Sequence, residues 1–266
     1  MRLLAVGDNC VDHYVELERR FPGGNALNVA VYASRLPGVE ADYVGVLGTD
    51  SEGDFMFNQV QAEGLDASLL LRREGETAVT TILVRDGERV FADYHEGVQM
   101  NAVLPRESLP EISRYDLVHF TVWGFGREHA EWMRESQGVK LSCDFSSQLD
   151  DPRTEIMPSL DYSFFSGSNL IRDAVNPEHK IRELKEKTPG LVVMTLGEHG
   201  SLVIDGEELY RGEASSVEVV DTLGAGDGYI AGFLCARLWG EPIQKAILKG
   251  HEAARNICTR LGAWGG

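Results

Sequence analysis

Asp221-Thr222-Leu223-Gly224-Ala225-Gly226-Asp227-Gly228-Tyr229-Ile230-Ala231-Gly232-Phe233 places three small residues directly ahead of an acid, and an apolar helical run over residues 229–239 follows. Small residues let a backbone turn tightly and approach a ligand closely. At a helix N-terminus the N–H groups of Gly224, Ala225 and Gly226 face outward, where unpaired donors and the helix dipole favour an anion. The same dipole is expected to hold Asp227 ionised and ready to accept a proton. An anion cradle beside a carboxylate base suits phosphoryl transfer to an alcohol. Glycines before a helix are common. What sets this stretch apart is the acid directly after the turn and the Asp221-Thr222 pair ahead of it.

Outward from this point, short β-like runs alternate with helix-like segments. Residues 3–7, 42–47, 117–122, 139–145, 162–165 and 191–196 read as strands, several of them nearly continuous apolar runs, as in strands covered on both faces. Residues 25–36, 53–63, 178–186 and 228–239 read as helices. The alternation predicts an α/β fold with a mostly parallel sheet between helical layers and ligand loops at the strand C-termini. Two β-rich arms around Asp86-Gly87, within residues 77–93, form a hairpin signal. A further strand over 11–17 would join it, giving a small inserted sheet over the active site. A second hairpin is expected over 201–211 around Asp205-Gly206. No repeat, low-complexity segment or long linker divides the chain, so one domain over 1–266 is expected, with lid strands inserted at about 9–17 and 77–97.

With 42 acidic against 25 basic residues, the 266-residue chain carries a formal net charge of −17. That argues against nucleic acid or an anionic membrane as its main partner, since both demand basic surface. No apolar stretch approaches the roughly 20 residues of a membrane span, and the N-terminus reads as a first strand rather than a signal peptide. Cys10, Cys143, Cys235 and Cys258 show no CxxC spacing, so buried free thiols in a reducing cytoplasm are expected.

Further candidates fit the same chemistry. Gly23 and Gly24 precede a helix whose first turn carries Asn25 and Asn28 on one face. These amides suit sugar hydroxyls, while a helix cap at Asn25 is the simpler alternative. Asp8, Asn9 and Asp12 cluster at the end of the first strand, where ligands bind in such sheets, or form a turn. Thr195, Gly197 and Gly200 end a buried strand in a glycine-punctuated loop that suits nucleotide phosphates or ribose, or merely connects two strands. Asp144-Phe145-Ser146 ends another strand, beside the cleft or as a cap.

Taken together these segments resemble the ribokinase-like carbohydrate kinases, the phosphofructokinase B type, along nearly the whole chain. The resemblance is carried by Gly23-Gly24-Asn25 with Asn28, by Val46-Leu47-Gly48-Thr49-Asp50 with Gly53, and most specifically by Asp221 to Asp227. It implies a three-layer sandwich with a small β-sheet lid, and ATP-dependent, Mg2+-assisted phosphorylation of a sugar-like alcohol. It further implies Asp227 as base, Gly224, Ala225 and Gly226 as anion hole, and Asp12, Gly24, Asn25 and Asn28 as substrate holders. Thr195 and Gly197, with Asn169, Gly200 and Asp221 beside them, would meet the nucleotide. No Walker A sequence is present. Two departures stand out: Arg172, next to Asp173, occupies the place of an acid that helps organise magnesium, leaving metal residues unassigned, and Gly228 follows the base where a small residue such as Ser is usual.

For the substrate, the segments around Asp8–Asp12, Arg89–Val98, Val122-Trp123-Gly124 and Gly262-Ala263-Trp264 are similar to fructoselysine 6-kinases. That implies a fructosamine acceptor phosphorylated at its 6-hydroxyl. Asp93 and Glu96 would attract the amine and Arg89 the carboxylate, with Tyr94 nearby, although exposed lid charges are commonly just solvated. Ribose, fructose, a keto-deoxy sugar acid or a nucleoside remain alternative acceptors, and a non-catalytic ligand-sensing protein is the alternative of a different class. Pairing of lid edges predicts a homodimer.

Overall fold

The computed structural model describes residues 1–85, 88–100, 102–136, 138–214 and 216–264, with the side chains of 84–89 outside the description. The hairpin residues Asp86 and Gly87, and the side chain of Arg89, therefore lie outside the described residues.

Thirteen strands and seven α-helices are described. In chain order they are β1 (Arg2–Val6), β2 (Cys10–Tyr14), β3 (Arg19–Gly23), α1 (Asn25–Ser34), β4 (Glu40–Gly48), α2 (Ser51–Ala62), β5 (Leu70–Arg73), β6 (Val79–Arg85), β7 (Glu88–His95), β8 (Leu117–Thr121), α3 (Ala130–Arg134), β9 (Lys140–Asp144), β10 (Tyr162–Ser166), α4 (Ser168–Arg172), α5 (Pro177–Lys185), β11 (Leu191–Thr195), β12 (Ser201–Asp205), β13 (Glu208–Gly212), α6 (Ala225–Leu238) and α7 (Ile243–Cys258). Nine strands form one sheet in the order β13-β12-β11-β10-β9-β8-β1-β4-β5, and β3-β2-β6-β7 form a second, smaller sheet. In the large sheet every pairing from β5 to β11 is parallel. The β12–β13 hairpin closes one edge antiparallel.

Strands buried on both faces supply two cores by alternation. Leu3 and Ala5 join one core while Leu4 and Val6 join the other; Leu191 and Val193 part in the same way from Val192 and Met194. The first core lies under α1, α2, α6 and α7, the second under α3 and α5. The result is the expected helix–sheet–helix sandwich.

After β1 the chain adds β4 and β5 on one side of it, then returns to place β8 to β11 on the other. The strand order thus reverses at β1 and β8, and ligands bind beyond the strand C-termini at such a reversal. The small sheet leaves the same edge of β1. Its β2 runs parallel to β6 and antiparallel to β3, and a bulge between Thr81 and Ile82 interrupts the β6–β7 pairing.

The expected strands and helices are present with ends shifted by a few residues. The 16-residue α7 is a helix beyond those expected, with Ile243, Ala246, Ile247, Gly250, His251 and Ile257 buried along one face. It packs closely on α6: a Cβ on Gly232 would lie 2.6 Å from the Lys249 carbonyl oxygen. A Cβ on Gly228 would lie 2.0 Å from Ile257 Cδ1, so the glycine that departs from the family pattern makes room for a neighbouring side chain.

Candidate active site

A cavity of about 400 Å3 opens between the large sheet's C-terminal edge, the start of α6 and the small sheet. Asp12, Gly24, Asn25, Asn28, Thr195, Gly224, Gly226 and Asp227, all singled out in the sequence, line it together with Cys10, Thr80, Phe91, Asp144 and Ser166. A larger hollow of about 730 Å3 beside residues 57–70 is open, and Asp66 is its one charged lining residue.

Asp227 sits in the first turn of α6 and is buried. Its Oδ2 accepts a 2.7 Å hydrogen bond from Asn28 Nδ2. Burial pushes its carboxyl well above the usual carboxylate range; the Asn28 bond pulls it down, while Asp144, Asp8 and Asp12 push it further up. The helix dipole expected to hold this acid ionised therefore acts against a strong opposing influence. Desolvation and three neighbouring carboxylates oppose the fractional positive charge at the helix end.

Gly224, at φ +77°, begins α6 in the left-handed region. A side chain there would strike Tyr32 Oη and Ala263, so glycine is required on both counts. The Ala225 N–H donates to the Thr222 carbonyl at 3.2 Å, drawing it into the turn. Gly226 is exposed, with nothing within 4 Å of where a Cβ would stand. The helix start therefore presents open backbone at Gly226.

On the facing side, Gly24 at φ +106° begins α1, pressed so closely on the loop after β1 that a Cβ would come within 2.3 Å of Asn9 Cα. A Cβ on Gly23 would meet Asp12 Oδ2 at 2.1 Å. The two glycines bring α1 and β3 against the loop after β1. That frees the Asn25 amide for the cavity, where its Nδ2 donates to Asp144 Oδ2 at 3.3 Å. The cap at this helix is not Asn25. Asp8 takes that part from the loop between β1 and β2, its Oδ2 accepting from Asn25 N at 2.7 Å and its Oδ1 from Ala26 N at 3.3 Å and from Thr121 Oγ1.

Several sequence candidates are thus drawn into scaffolding. Asp8 is not a lining residue of the cavity. Asn9 is fully buried, its Nδ2 donating to Tyr43 Oη at 2.9 Å and to the Val46 carbonyl at 3.1 Å. Asp221 accepts from Leu223 N at 2.9 Å, from Gly262 N at 3.0 Å and from the Tyr14 hydroxyl, tying the small sheet and the C-terminal segment to the turn before α6. Asp50 caps α2 through Gly53 N and bonds Thr77, so the Gly48-Thr49-Asp50 segment is a corner between β4, α2 and β6.

Thr195 lines the cavity, whereas Gly197 (φ +60°) and Gly200 (φ +90°) shape the turn into β12. A Cβ on Gly200 would collide with the Gly212 carbonyl. Asn169 is exposed on α4, and the exposed Arg172 pairs with Asp173 at 3.4 Å. In the small sheet Asp93 and Glu96 are exposed, and Tyr94 lies opposite Thr80. None of the three lines the cavity.

Asp144 emerges as the second acid of the site. Its Oδ1 accepts from Ser146 N at 2.8 Å, with Ser146 held at φ +51°. Burial raises its carboxyl to about 6, with the Ser146 and Asn25 bonds lowering it and Asp8 raising it. Its place at a strand end beside the cleft was legible, but its partners were not. Thr121, Thr80 and Cys10 carry no sequence signal of their own; only the fold brings them here. Among the described residues no group of three or more His, Cys, Asp or Glu is placed to hold a metal ion.

Residues 5–265 match the pfkB family carbohydrate kinase. The chain is 36% identical over 263 residues to a fructoselysine 6-kinase of Escherichia coli, covering 98% of this chain and 99% of that protein. It is 34% identical over 274 residues to a fructosamine kinase of Bacillus subtilis, covering 100% and 93%. A ribokinase from Arabidopsis thaliana, solved with ribose and ATP, superposes with a TM-score of 0.84 at 20% identity, covering 98% and 93%. The cavity, the paired acid at the start of α6 and this full-length match agree: the chain belongs to the pfkB family of carbohydrate kinases, ATP-dependent phosphotransferases with the ribokinase-like fold.

Proposed function

We propose that the protein transfers the γ-phosphoryl group of ATP to the 6-hydroxyl of a fructosamine such as fructoselysine. The observation that carries the substrate class is the cavity lining. It holds the carboxylates Asp12, Asp144 and Asp227, and no Lys, Arg or His among the described residues. A protonated amine lowers the cost of holding those acids together, which a neutral sugar does not. The names of the two curated relatives point the same way.

In this reading Asp227 takes the proton from the acceptor hydroxyl, and its raised pKa brings it closer to working pH, where a general base is most effective. Asn25 and Asn28 hold sugar hydroxyls, with Asp12 and Asp144 toward the amine. The open backbone at Gly226 and the start of α6 receive the transferring phosphoryl group. Thr195 lies at the nucleotide end. Magnesium would arrive on the nucleotide phosphates, and no step is routed through a protein-held ion, since no such ligand group is described. The small sheet acts as a lid, and its edges pair in a homodimer. Among the described residues no disulfide joins the four cysteines, of which Cys10, Cys143 and Cys235 are buried as expected and Cys258 is only half-buried; this fits a reducing cytoplasm.

The test is ADP release with ATP and magnesium across a panel of fructoselysine, other fructosamines, fructose, ribose and nucleosides. Fructoselysine is expected to give the highest kcat/KM. If fructose or ribose exceeds it, the fructosamine assignment falls; ADP release stimulated by no acceptor removes the catalytic reading altogether.

A further inference from the structure

We infer that Trp264 is a positioning residue of the active site, fixing the orientation of the Asn28 amide so that its N–H rather than its oxygen faces Asp227. The inference rests on the reading of Asp227 as the base. Trp264 Nε1 donates to Asn28 Oδ1 at 2.7 Å, and Asn28 Nδ2 donates to Asp227 Oδ2 at 2.7 Å; all three residues are buried. An indole nitrogen can only donate, and an ionised carboxylate can only accept. An amide held between the two has one orientation that satisfies both. The indole N–H, some way from the reacting atoms, thereby dictates what the base meets.

The segment that carries the indole is itself tied to the site at two further points. Tyr32 Oη donates to the Ala263 carbonyl at 2.6 Å, and Gly262 N donates to Asp221 at 3.0 Å. Gly224 packs against Ala263 as well, since a Cβ there would lie 3.0 Å from Ala263 Cβ. The last described residues of the chain therefore bridge the turn at α6 and the face of α1.

The consequence is electrostatic. Asp227 faces Asp8 from the end of β1, Asp12 from β2 and Asp144 from β9, with the Tyr32 hydroxyl on α1 also within its field. Every one of those acids opposes its ionisation. Among the described residues Asn28 is the one hydrogen-bond donor acting the other way on its side chain. Without the indole N–H, the amide is free to turn its oxygen toward the carboxylate, or else leaves that oxygen buried and unpaired. Either result weakens the hydrogen-bond support for the charged base.

The experiment compares wild type with Trp264→Phe, Asn28→Ala and the double variant, using ATP, magnesium and the best acceptor of the panel. Trp264→Phe is expected to move the acidic limb of kcat/KM up by about one pH unit and to lower activity about tenfold below that limb. The KM for ATP should stay within about twofold, as expected for a change confined to the base. In the Asn28→Ala background the same substitution should add no further shift, because its effect passes through that amide. An unmoved limb, or a shift that adds fully to that of Asn28→Ala, overturns the inference. Should the Phe variant fail to fold, the wild-type indole 1H–15N resonance of Trp264 supplies the reading. It should titrate with the midpoint of the acidic limb, and a resonance that stays flat through that limb overturns the inference. If Asp227→Asn leaves turnover intact, the base assignment itself falls, which is a separate result.

Discussion

At Asp227 two influences oppose each other: burial among three other acids, and a single amide donor from Asn28. The acid must be ionised to accept a proton, and its pKa is raised, so activity should fall as pH drops through a value above the ordinary carboxylate pKa of about 4. Asp227→Asn removes the proposed base while keeping the shape. Turnover is expected to drop by roughly 10²–10⁴-fold, and the acidic limb should vanish from the residual rate. A loss under tenfold, or a limb that persists unchanged, would assign the proton to another group. The identity of this residue was legible from the small residues and the acid at a helix start. Its energetics were not, because Asp8, Asp12, Asp144 and Asn28 lie far away along the chain and only the fold brings them together. The same distance explains Asp8, which reads as a ligand residue locally and caps α1 from the loop after β1.

Among the elements, strands buried on both faces announced themselves as apolar runs, and the parallel sheet followed from their alternation with helices. The small sheet was half legible. Its β6–β7 hairpin was expected, and β2 was expected to join it, but β3 was hidden because Arg19-Arg20-Phe21-Pro22-Gly23 has neither alternation nor β-branched residues. Its outer strands β3 and β7 are edges, and Val15, Leu17, Val90, Phe91 and Tyr94 expose apolar surface on it or its connecting turn. Exposed edges and clustered apolar side chains tend to be covered by a partner. The lid-to-lid homodimer proposed above predicts a dimer in sedimentation velocity at micromolar concentration. Val90→Lys should shift it toward monomer without changing the fold by circular dichroism. A wild-type protein that sediments as a monomer throughout that range removes the lid dimer.

Over the whole molecule, the cleft places carboxylates where a stability-optimised fold would not. Asp8, Asp144 and Asp227 all have raised pKa values, with burial as the first cause. A carboxyl whose folded pKa lies above its unfolded one stabilises the fold when protonated, and that contribution is lost as pH rises through the folded value. For Asp144 the window runs from 3.8 to about 6. A rise of about two units corresponds to about 3 kcal/mol surrendered at neutral pH. Asp144→Asn recovers this, less about 1 kcal/mol for a hydrogen bond that an amide oxygen cannot replace. The ligand-free variant is therefore expected to melt a few degrees above wild type at pH 7.5, since about 1 kcal/mol moves Tm by 2–4 °C at this size. The gain should shrink as pH falls and disappear near pH 4.5, where Asp144 in the wild type is itself protonated. Paired thermal melts of both proteins across that range read the difference directly, with the global charge effects common to both cancelling. A Tm difference that does not change with pH would mean that Asp144 is not held charged at a cost. A difference that closes toward acid would show that Asp144 is held charged at a cost, one that a bound cation such as the amine of a fructosamine would offset.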